Sequence, residues 1–348
     1  MNPLSRRTVL AGLLGSLALA GCNGTAVQQA QQSAASQSSG TPSASGGVGS
    51  ATIGLTYIPN IQFAPFYWAQ DLDLFTQQGA DVTLRHHGAN EGLFTALTAG
   101  QEDFVIAGGD EVVQANAEGM DLVAVAGYYQ AYPIVLIVRE DSPITTLADL
   151  EGATVGIPGE YGESWFGLQV ALRHAQLDAS QVTVRSIGYT QQAALATGKV
   201  DAIVGFSNND VVQFVQGGVA VRQIPLGDDI PLVSSSIITT RTLLEARPEL
   251  VAAVCRAIVA GVQGVVADPE AAVATSVEHV PGLEAQAAQQ NAMATLQATI
   301  PLWKGGQQVP DLELSREKFV QMAEFMHEAG LVAKPVDGAR AVDTSVLG

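Results

Sequence analysis

From residue 51 onward, the chain alternates short apolar runs rich in β-branched residues with stretches of helical spacing. The apolar runs predict strands at 52–56, 82–85, 104–107, 122–126, 154–157, 182–185, 202–205 and 219–223. Helices are predicted between them, as over 63–75, 91–98 and 111–117. This alternation indicates βαβ units and a mainly parallel sheet. Beyond residue 240, long Ala-rich helices are predicted to the end of the chain.

An internal echo refines this α/β prediction. Residues 96–106 resemble residues 194–204. In each copy the pattern predicts a helix that ends at a Gly, then a strand preceded by an Asp, and then a helix that begins with an acidic residue. Two similar α/β lobes explain the echo, with chance similarity of two βα units as the alternative. We place one lobe at 51–137 plus 240–348 and the other at 138–239. The segments 134–139 and 234–240 are predicted to cross between them as a two-segment hinge.

The N-terminus has the features of a lipoprotein signal peptide over residues 1–21. Arg6 and Arg7 precede an apolar stretch, 9–20, that is short for a membrane-spanning helix, which needs roughly 20 apolar residues. The stretch ends in LAGC at 19–22, which resembles the lipobox in which the Cys becomes lipidated. Cys22 is therefore the predicted lipidation site. The two arginines also resemble a twin-arginine signal, and the export route stays open.

Composition predicts a tether after the signal peptide and argues against two classes of partner. Residues 23–50 contain no charged or aromatic side chain, so we predict that 22–50 is a disordered tether after the anchored Cys. The chain has 16 basic and 34 acidic residues, for a net charge of −18. Loss of Arg6 and Arg7 with the signal leaves 14 basic residues and a charge of −20. This acidity argues against nucleic acid and against electrostatic membrane adhesion, which leaves lipid as the anchor.

Ligands of open parallel sheets collect at the carboxyl ends of the strands, so the loops there supply the candidate site. Only 6% of the chain is aromatic, yet most of these loops hold an aromatic residue, and none holds Arg or Lys. Such loops suit a flat, uncharged, hydrogen-bonding heterocycle. The candidate ligand-binding residues are Asn60, Phe63, Asp110, Tyr128, Tyr161, Gly162, Trp165, Tyr189, Asn208 and Asn209.

Several of these candidates have a structural alternative. Asn60 and Asp110 are equally suited to capping their helices, and Tyr161 and Trp165 to packing in the core. Trp303 is a further candidate for a cleft wall. His86 and His87 should point to opposite faces of their strand, with no carboxylate or Cys at a usable spacing, so we expect a structural role and no metal site or cofactor. Cys255 lies in an apolar helical run, so we predict a buried, inert thiol.

Several motifs resemble those of the NMT1/THI5-like binding proteins across about residues 51–240. They are IPNIQFAPFY at 58–67, GDE at 109–111, YQAYP at 129–133, GIPG at 156–159, YG at 161–162 and GFSNN at 205–209. The resemblance implies a type II periplasmic-binding-protein fold that holds its ligand in an aromatic sandwich. It also implies an ABC permease and an ATPase as partners.

The resemblance extends to two branches that bind different vitamins or precursors. We favour riboflavin, because aromatic residues are available on both lobes and many polar groups suit a ribityl chain. The thiamine pyrimidine precursor is the alternative within the same class. A pyrimidine-synthesising enzyme of the same fold is the alternative of another class, but this chain lacks the cysteine-rich motif of those enzymes. We expect a monomeric binding protein, not an enzyme, that closes around its ligand.

Overall fold

The computed structural model of the chain describes residues 47–88, 91–227 and 229–348. The predicted signal peptide, Cys22 and most of the predicted tether lie outside these residues. The tether prediction is wrong for residues 49 and 50, because strand β1 already begins at Gly49. Val48 N donates to Gly79 O at 2.8 Å, so backbone pairing starts before the first apolar run.

The described residues form two five-stranded sheets and the helices that cover them. The strands are β1 (Gly49–Leu55), β2 (Ala80–His86), β3 (Phe104–Gly108), β4 (Leu122–Gly127), β5 (Ile134–Arg139), β6 (Thr154–Ile157), β7 (Thr183–Ser186), β8 (Ala202–Phe206), β9 (Val221–Pro225) and β10 (Ser235–Thr240). The helices are α1 (Ala64–Asp71), α2 (Leu74–Gln77), α3 (Thr95–Thr98), α4 (Gly109–Ala117), α5 (Gly162–His174), α6 (Gln191–Ala196), α7 (Asp210–Gln216), α8 (Arg241–Ala246), α9 (Pro248–Ala267), α10 (Pro269–Ser276), α11 (Gln286–Lys304) and α12 (Arg316–Glu328).

The two sheets have the same construction. The first has the strand order β2-β1-β3-β10-β4, and the second has the order β7-β6-β8-β5-β9. In each sheet the first three strands are parallel, and the fourth position holds a strand that runs antiparallel to both of its neighbours. The two-lobe α/β prediction is therefore confirmed.

The antiparallel strand of each sheet lies at a crossing of the chain. The strand β5 follows the first sheet in sequence but pairs only in the second, and β10 follows the second sheet but pairs in the first. The segments 134–139 and 234–240, predicted as crossings, are thus mostly strands within a sheet. The chain passes between the sheets at 128–133 and at 226–234. We call residues 47–127 and 235–348 the first lobe, residues 134–225 the second lobe, and the two connecting segments the crossings.

The internal echo has a structural counterpart at the central strand of each sheet. Asp103 precedes β3, and its carboxylate accepts from Thr52 N at 2.8 Å while Asp103 N donates to Thr52 O at 2.9 Å. Asp201 precedes β8 and makes the same pair of bonds with Thr154, both at 2.8 Å. Each Asp thus fixes the central strand to the strand beside it, and the echo reflects duplicated local structure.

The helices differ from prediction in two places in the first lobe. The helix predicted over 63–75 is broken, because Asp73 has a left-handed φ of 56° and separates α1 from α2. The helix predicted over 91–98 shortens to α3, which starts at Thr95. After β10 the described chain forms helices α8 to α12, as predicted, and its one further β-contact is a bridge between Ala124 and Val342. The prediction of helices to the end of the chain is wrong for residues 329–348, because α12 ends at Glu328 and turns follow it.

The long helix α9 belongs to the core of the first lobe. By length and hydropathy alone it would be able to cross a membrane, yet ten of its residues are buried. Its main packing partner is α1, and both lie in the core that covers one face of the first sheet. Burial of this apolar surface is the main term that stabilises the lobe.

Candidate functional site

The carboxyl ends of the parallel strands in the two lobes face each other. Tyr57, after β1, and Tyr189, after β7, meet edge to face with ring centroids 6.3 Å apart. The side chain of Tyr189 is 63% exposed, that of Tyr161 is 55% exposed and that of Tyr57 is 39% exposed. The Tyr161 ring lies against Gly159, where an added Cβ would come within 2.2 Å of it. Three tyrosines from both lobes therefore lie at the rim where the lobes meet.

Beneath this rim, the first turns of α4 and α5 bring three carboxyl groups together. The Asp110 carboxylate accepts from the Tyr132 hydroxyl at 2.8 Å and from Glu111 N at 2.8 Å. Glu163, on α5, accepts from the Ser234 hydroxyl at 2.6 Å. Tyr132 and Ser234 belong to the two crossings, so each lobe is tied to the connecting chain by a carboxyl group.

The pKa values of all three carboxyl groups are raised, and burial is the first cause in each case. Burial raises the pKa of Glu111 to about 7 and that of Glu163 to about 8. Asp110 is fully buried, and burial together with the neighbouring Glu163 and Glu111 holds its pKa well above its usual range. A carboxyl group that keeps its proton near neutral pH can donate a hydrogen bond as well as accept one.

Asn208 lies deeper between the lobes and is completely buried. Its Nδ2 donates to the Tyr129 hydroxyl at 3.2 Å and to Thr299 Oγ1 at 3.0 Å. Tyr129 lies in the first crossing and Thr299 on α11 of the first lobe, so this second-lobe amide bonds to residues outside its own lobe. Its Oδ1 is buried without a hydrogen-bond partner.

Three of the predicted ligand-binding residues make their hydrogen bonds or ring contacts with other residues of the first lobe and the adjoining crossing. Asn60 Oδ1 accepts from Gln62 N at 3.1 Å, so its capping alternative is confirmed. Phe63 is buried, with its ring centroid 5.5 Å from that of His86. Tyr128 is 2% exposed, and its hydroxyl donates to Gln62 O at 2.6 Å.

The other predicted residues lie at or near the facing helix ends. Gly162 begins α5 beside Glu111 of the first lobe, where an added Cβ would come within 3.3 Å of Glu111 Oε1. Trp165 is partly buried against a hydrophobic core cluster to which both lobes contribute. Asn209 precedes α7 and accepts from Gln213 at 3.4 Å. Trp303 is fully buried, and its ring meets Tyr128 edge to face at 5.9 Å.

Sequence reasoning missed several residues of this region. Tyr57 lies two residues after the end of β1 and Tyr129 two residues after the end of β4, so their positions after strands were an available signal. Glu163 occupies the first turn of α5, where a carboxylate is expected to interact favourably with the positive end of the helix dipole. The approach of Glu163 to Asp110 depends on lobe contact, which no local pattern contains.

The histidine pair has an environment that the sequence did not reveal. His87 is buried and lies 2.9 Å from Glu102, while Glu91 completes a group of possible metal ligands within 4.8 Å of one another. The expectation that no carboxylate lies near is therefore wrong. Arg85, however, bonds Glu102 at 2.6 Å and Glu91 at 2.7 Å, so a guanidinium already supplies the positive charge. The structural role expected for the pair agrees with this network.

Open depressions also occur on the second lobe, away from the facing strand ends. One has a volume of about 610 Å³ and another about 440 Å³, and both are lined by Arg139 and Asp141. The lining of the second depression includes Asp201 and other residues at the amino ends of the parallel strands. Ligand sites in such sheets form at the opposite, carboxyl ends. The facing loops therefore remain the candidate site.

The chain resembles known binding proteins in sequence and in fold. It is 31% identical to the riboflavin-binding protein RibY of Chloroflexus aurantiacus, over 96% of each chain. It is 23% identical to the formylaminopyrimidine-binding protein of Halalkalibacterium halodurans, over 63% of this chain and 67% of that protein. Its fold matches the crystal structure of the periplasmic aliphatic sulphonate binding protein SsuA from Escherichia coli, with a TM-score of 0.68 and 21% identity over 84% of this chain and 92% of that one.

The fold match agrees with the periplasmic-binding-protein fold expected from the motifs. The family model described as NMT1/THI5 like matches residues 60–272. That range includes the carboxyl ends of β2 and β3 in the first lobe and of β6, β7 and β8 in the second, and the relationship to RibY extends over nearly the whole chain. The chain therefore belongs to the NMT1/THI5-like family.

Proposed function

We propose that this chain is the substrate-binding lipoprotein of an ABC importer and that it binds riboflavin between its two lobes. It acts outside the cytoplasm as a monomer, held to the membrane by lipid on Cys22. It delivers its ligand to a permease driven by an ATPase. The ligand favours the closed form because it contacts both lobes, and differential affinity is what shifts such an equilibrium.

The observation that carries the proposal is the presence of exposed aromatic rings from both lobes at one rim. Tyr57 comes from the first lobe, and Tyr161 and Tyr189 come from the second. Aromatic faces stack on flat heterocycles, and amides and protonated carboxyls beside them supply hydrogen bonds. The relationship to RibY supports riboflavin over other flat ligands. We assign Tyr128 and Phe63 to packing beneath the site.

Titration of the mature protein with riboflavin tests the ligand. The protein is first unfolded and refolded to remove any ligand from the host, and flavin fluorescence is then followed as protein is added. We expect strong quenching at micromolar concentrations, because stacking on tyrosine quenches flavin emission. Absence of quenching would contradict riboflavin as the ligand.

Competition distinguishes the alternative ligand. The formylaminopyrimidine-binding relative makes a pyrimidine the second candidate of the same class. Formylaminopyrimidine should leave the riboflavin fluorescence signal unchanged if riboflavin is the ligand. A thermal shift with formylaminopyrimidine and none with riboflavin would instead assign the pyrimidine.

The enzyme alternative would require a reactive cysteine at the candidate site, and the described residues of this chain place none there. Cys255 is the free cysteine of the described residues, and it is completely buried on α9. Burial raises the pKa of its thiol to about 12, so it is neither an accessible nucleophile nor a ready metal ligand. This favours binding over turnover.

The anchor is tested by replacing Cys22. In a host that processes lipoproteins, the unaltered protein should sediment with membranes and carry the mass of attached lipid. Cys22→Ser should appear in the soluble extracytoplasmic fraction, because the charge of −20 gives no electrostatic attraction to anionic lipid. Equal membrane retention of both forms, when the mass of the variant shows that residues 1–21 have been removed, would contradict lipid anchoring.

A further inference from the structure

The Asn208 side chain has a buried acceptor that no protein group satisfies. The residue is completely buried, and its Oδ1 has no hydrogen-bond partner. A buried amide oxygen without a donor costs free energy comparable to a lost hydrogen bond. A ligand that placed a donor against this oxygen would recover that free energy.

The orientation of this amide is fixed by its neighbour on α11. The Thr299 hydroxyl donates to Thr295 O at 2.7 Å, so its oxygen is left to accept. It therefore requires a donor from Asn208, and only Nδ2 can supply one. A flipped amide would place two acceptors against each other. Oδ1 thus points away from Thr299.

The Tyr129 hydroxyl supplies a donor beside this acceptor. It accepts from Asn208 Nδ2 at 3.2 Å, which leaves its own proton to donate. Burial raises the pKa of Tyr129 above its usual range, so the hydroxyl keeps that proton at neutral pH. A buried acceptor and a buried donor therefore lie next to each other at the contact between the lobes.

We propose that Asn208 and Tyr129 bind the imide edge of the isoalloxazine ring, with Asn208 Oδ1 accepting from the ring N3–H and the Tyr129 hydroxyl donating to a neighbouring ring carbonyl. This inference rests on the proposed function. A cyclic imide presents a donor directly beside an acceptor, which complements the pair. Asn208 belongs to the second lobe and Tyr129 to a crossing, so binding of this edge also links the ligand to lobe closure.

The test compares riboflavin with 3-methylriboflavin, in which a methyl group replaces the N3 hydrogen. Dissociation constants of both are measured by fluorescence quenching on the unaltered protein, so the comparison does not depend on a variant that folds. We expect 3-methylriboflavin to bind roughly 10- to 100-fold more weakly, because it leaves Oδ1 buried and unpaired. Equal affinities would overturn the inference but leave the proposed function standing. Failure of both flavins to bind would overturn both.

Variants of Asn208 and Thr299 test whether the difference in affinity between the two flavins arises at the pair formed by Asn208 and Tyr129. In Asn208→Ala the ratio of the two dissociation constants should fall towards one, since no acceptor remains for N3–H to satisfy. Thr299→Ser keeps the hydroxyl that orients the amide and should keep the ratio, whereas Thr299→Val removes it and should lower the ratio. A ratio that stays high in Asn208→Ala would show that another group binds N3–H and would overturn the assignment.

Discussion

Tyr57 and Tyr189 meet edge to face across the cleft, with their ring centroids 6.3 Å apart. Tyr57 follows the first strand of the first lobe, and Tyr189 follows β7 of the second. Neither ring is buried in its own lobe, and both stand at the outer rim. The pair thus makes a contact that exists only while the lobes are together.

Removal of one ring should weaken the closed form. An aromatic pair of this geometry contributes about 0.5–1.5 kcal/mol, so Tyr189→Ala should raise the dissociation constant for riboflavin roughly two- to tenfold. Most of the change should appear in the dissociation rate, measured by stopped-flow fluorescence. Tyr189→Phe retains the ring and serves as the control. Equal losses in both variants would mean that the hydroxyl, not the ring contact, matters.

The carboxyl cluster between α4 and α5 predicts that stability falls as pH rises. Burial raises the pKa of Glu163 to about 8 and that of Glu111 to about 7, while both groups lose their protons near pH 4.5 when unfolded. The stabilising contribution of these two carboxyl groups is complete below pH 4.5. It is lost progressively as pH rises towards 8, because the folded form holds protons that the unfolded form releases. Thermal unfolding followed from pH 5 to pH 9 by circular dichroism, with roughly constant ionic strength, measures this slope.

Glu163→Gln isolates the contribution of one carboxyl group. The amide still accepts from the Ser234 hydroxyl but cannot ionise, so the variant should gain several kcal/mol, roughly 1.4 kcal/mol for each unit by which the pKa is raised, at pH 8 and have a shallower slope. Glu140→Gln is the control, since it removes the same charge from an exposed position. A slope identical in Glu163→Gln and the unaltered protein would place the titration elsewhere.

Much of the fold was predictable because its signals are local. Apolar runs located the strands, and the echo around Asp103 and Asp201 located the duplicated lobes, since each Asp makes the same bonds to its neighbouring strand. The crossings were misplaced because β5 and β10 have ordinary strand sequences. Which sheet a strand joins depends on pairing with residues distant in sequence, as between Ile237 and Ile106.

The candidate site was predictable in kind but less so in detail. Position after a strand identified Tyr161, Tyr189 and Asn208, and all three lie where the lobes meet. The same rule included Tyr128, whose ring the core encloses, because a loop position does not reveal which of two adjacent tyrosines faces inward. The partner that orients Asn208 was out of reach, since Thr299 lies 91 residues away on α11.

Cys255 should be unreactive while the protein is folded. The Cys22→Ser variant leaves it as the sole thiol of the chain. It is completely buried, and burial raises its pKa to about 12, so the reactive thiolate is scarce at neutral pH. A chromogenic disulfide reagent should detect no thiol in native buffer and one equivalent per chain in denaturant. Rapid reaction of the native protein would mean that α9 opens readily from the core.

Gly100 and Gly198 are equivalent helix stops in the two lobes, and they should tolerate substitution equally badly. Their φ angles are 70° and 68°, in the left-handed region that disfavours residues with a Cβ. Nothing lies within 4 Å of a Cβ added at either position, so the cost of alanine arises from the backbone alone. Gly100→Ala and Gly198→Ala should each lower the free energy of unfolding by roughly 1–2 kcal/mol, measured in urea. Because the two lie in different lobes, the double variant should lose the sum. A clear difference between the single variants would show that the lobes do not share the same local structure at this turn.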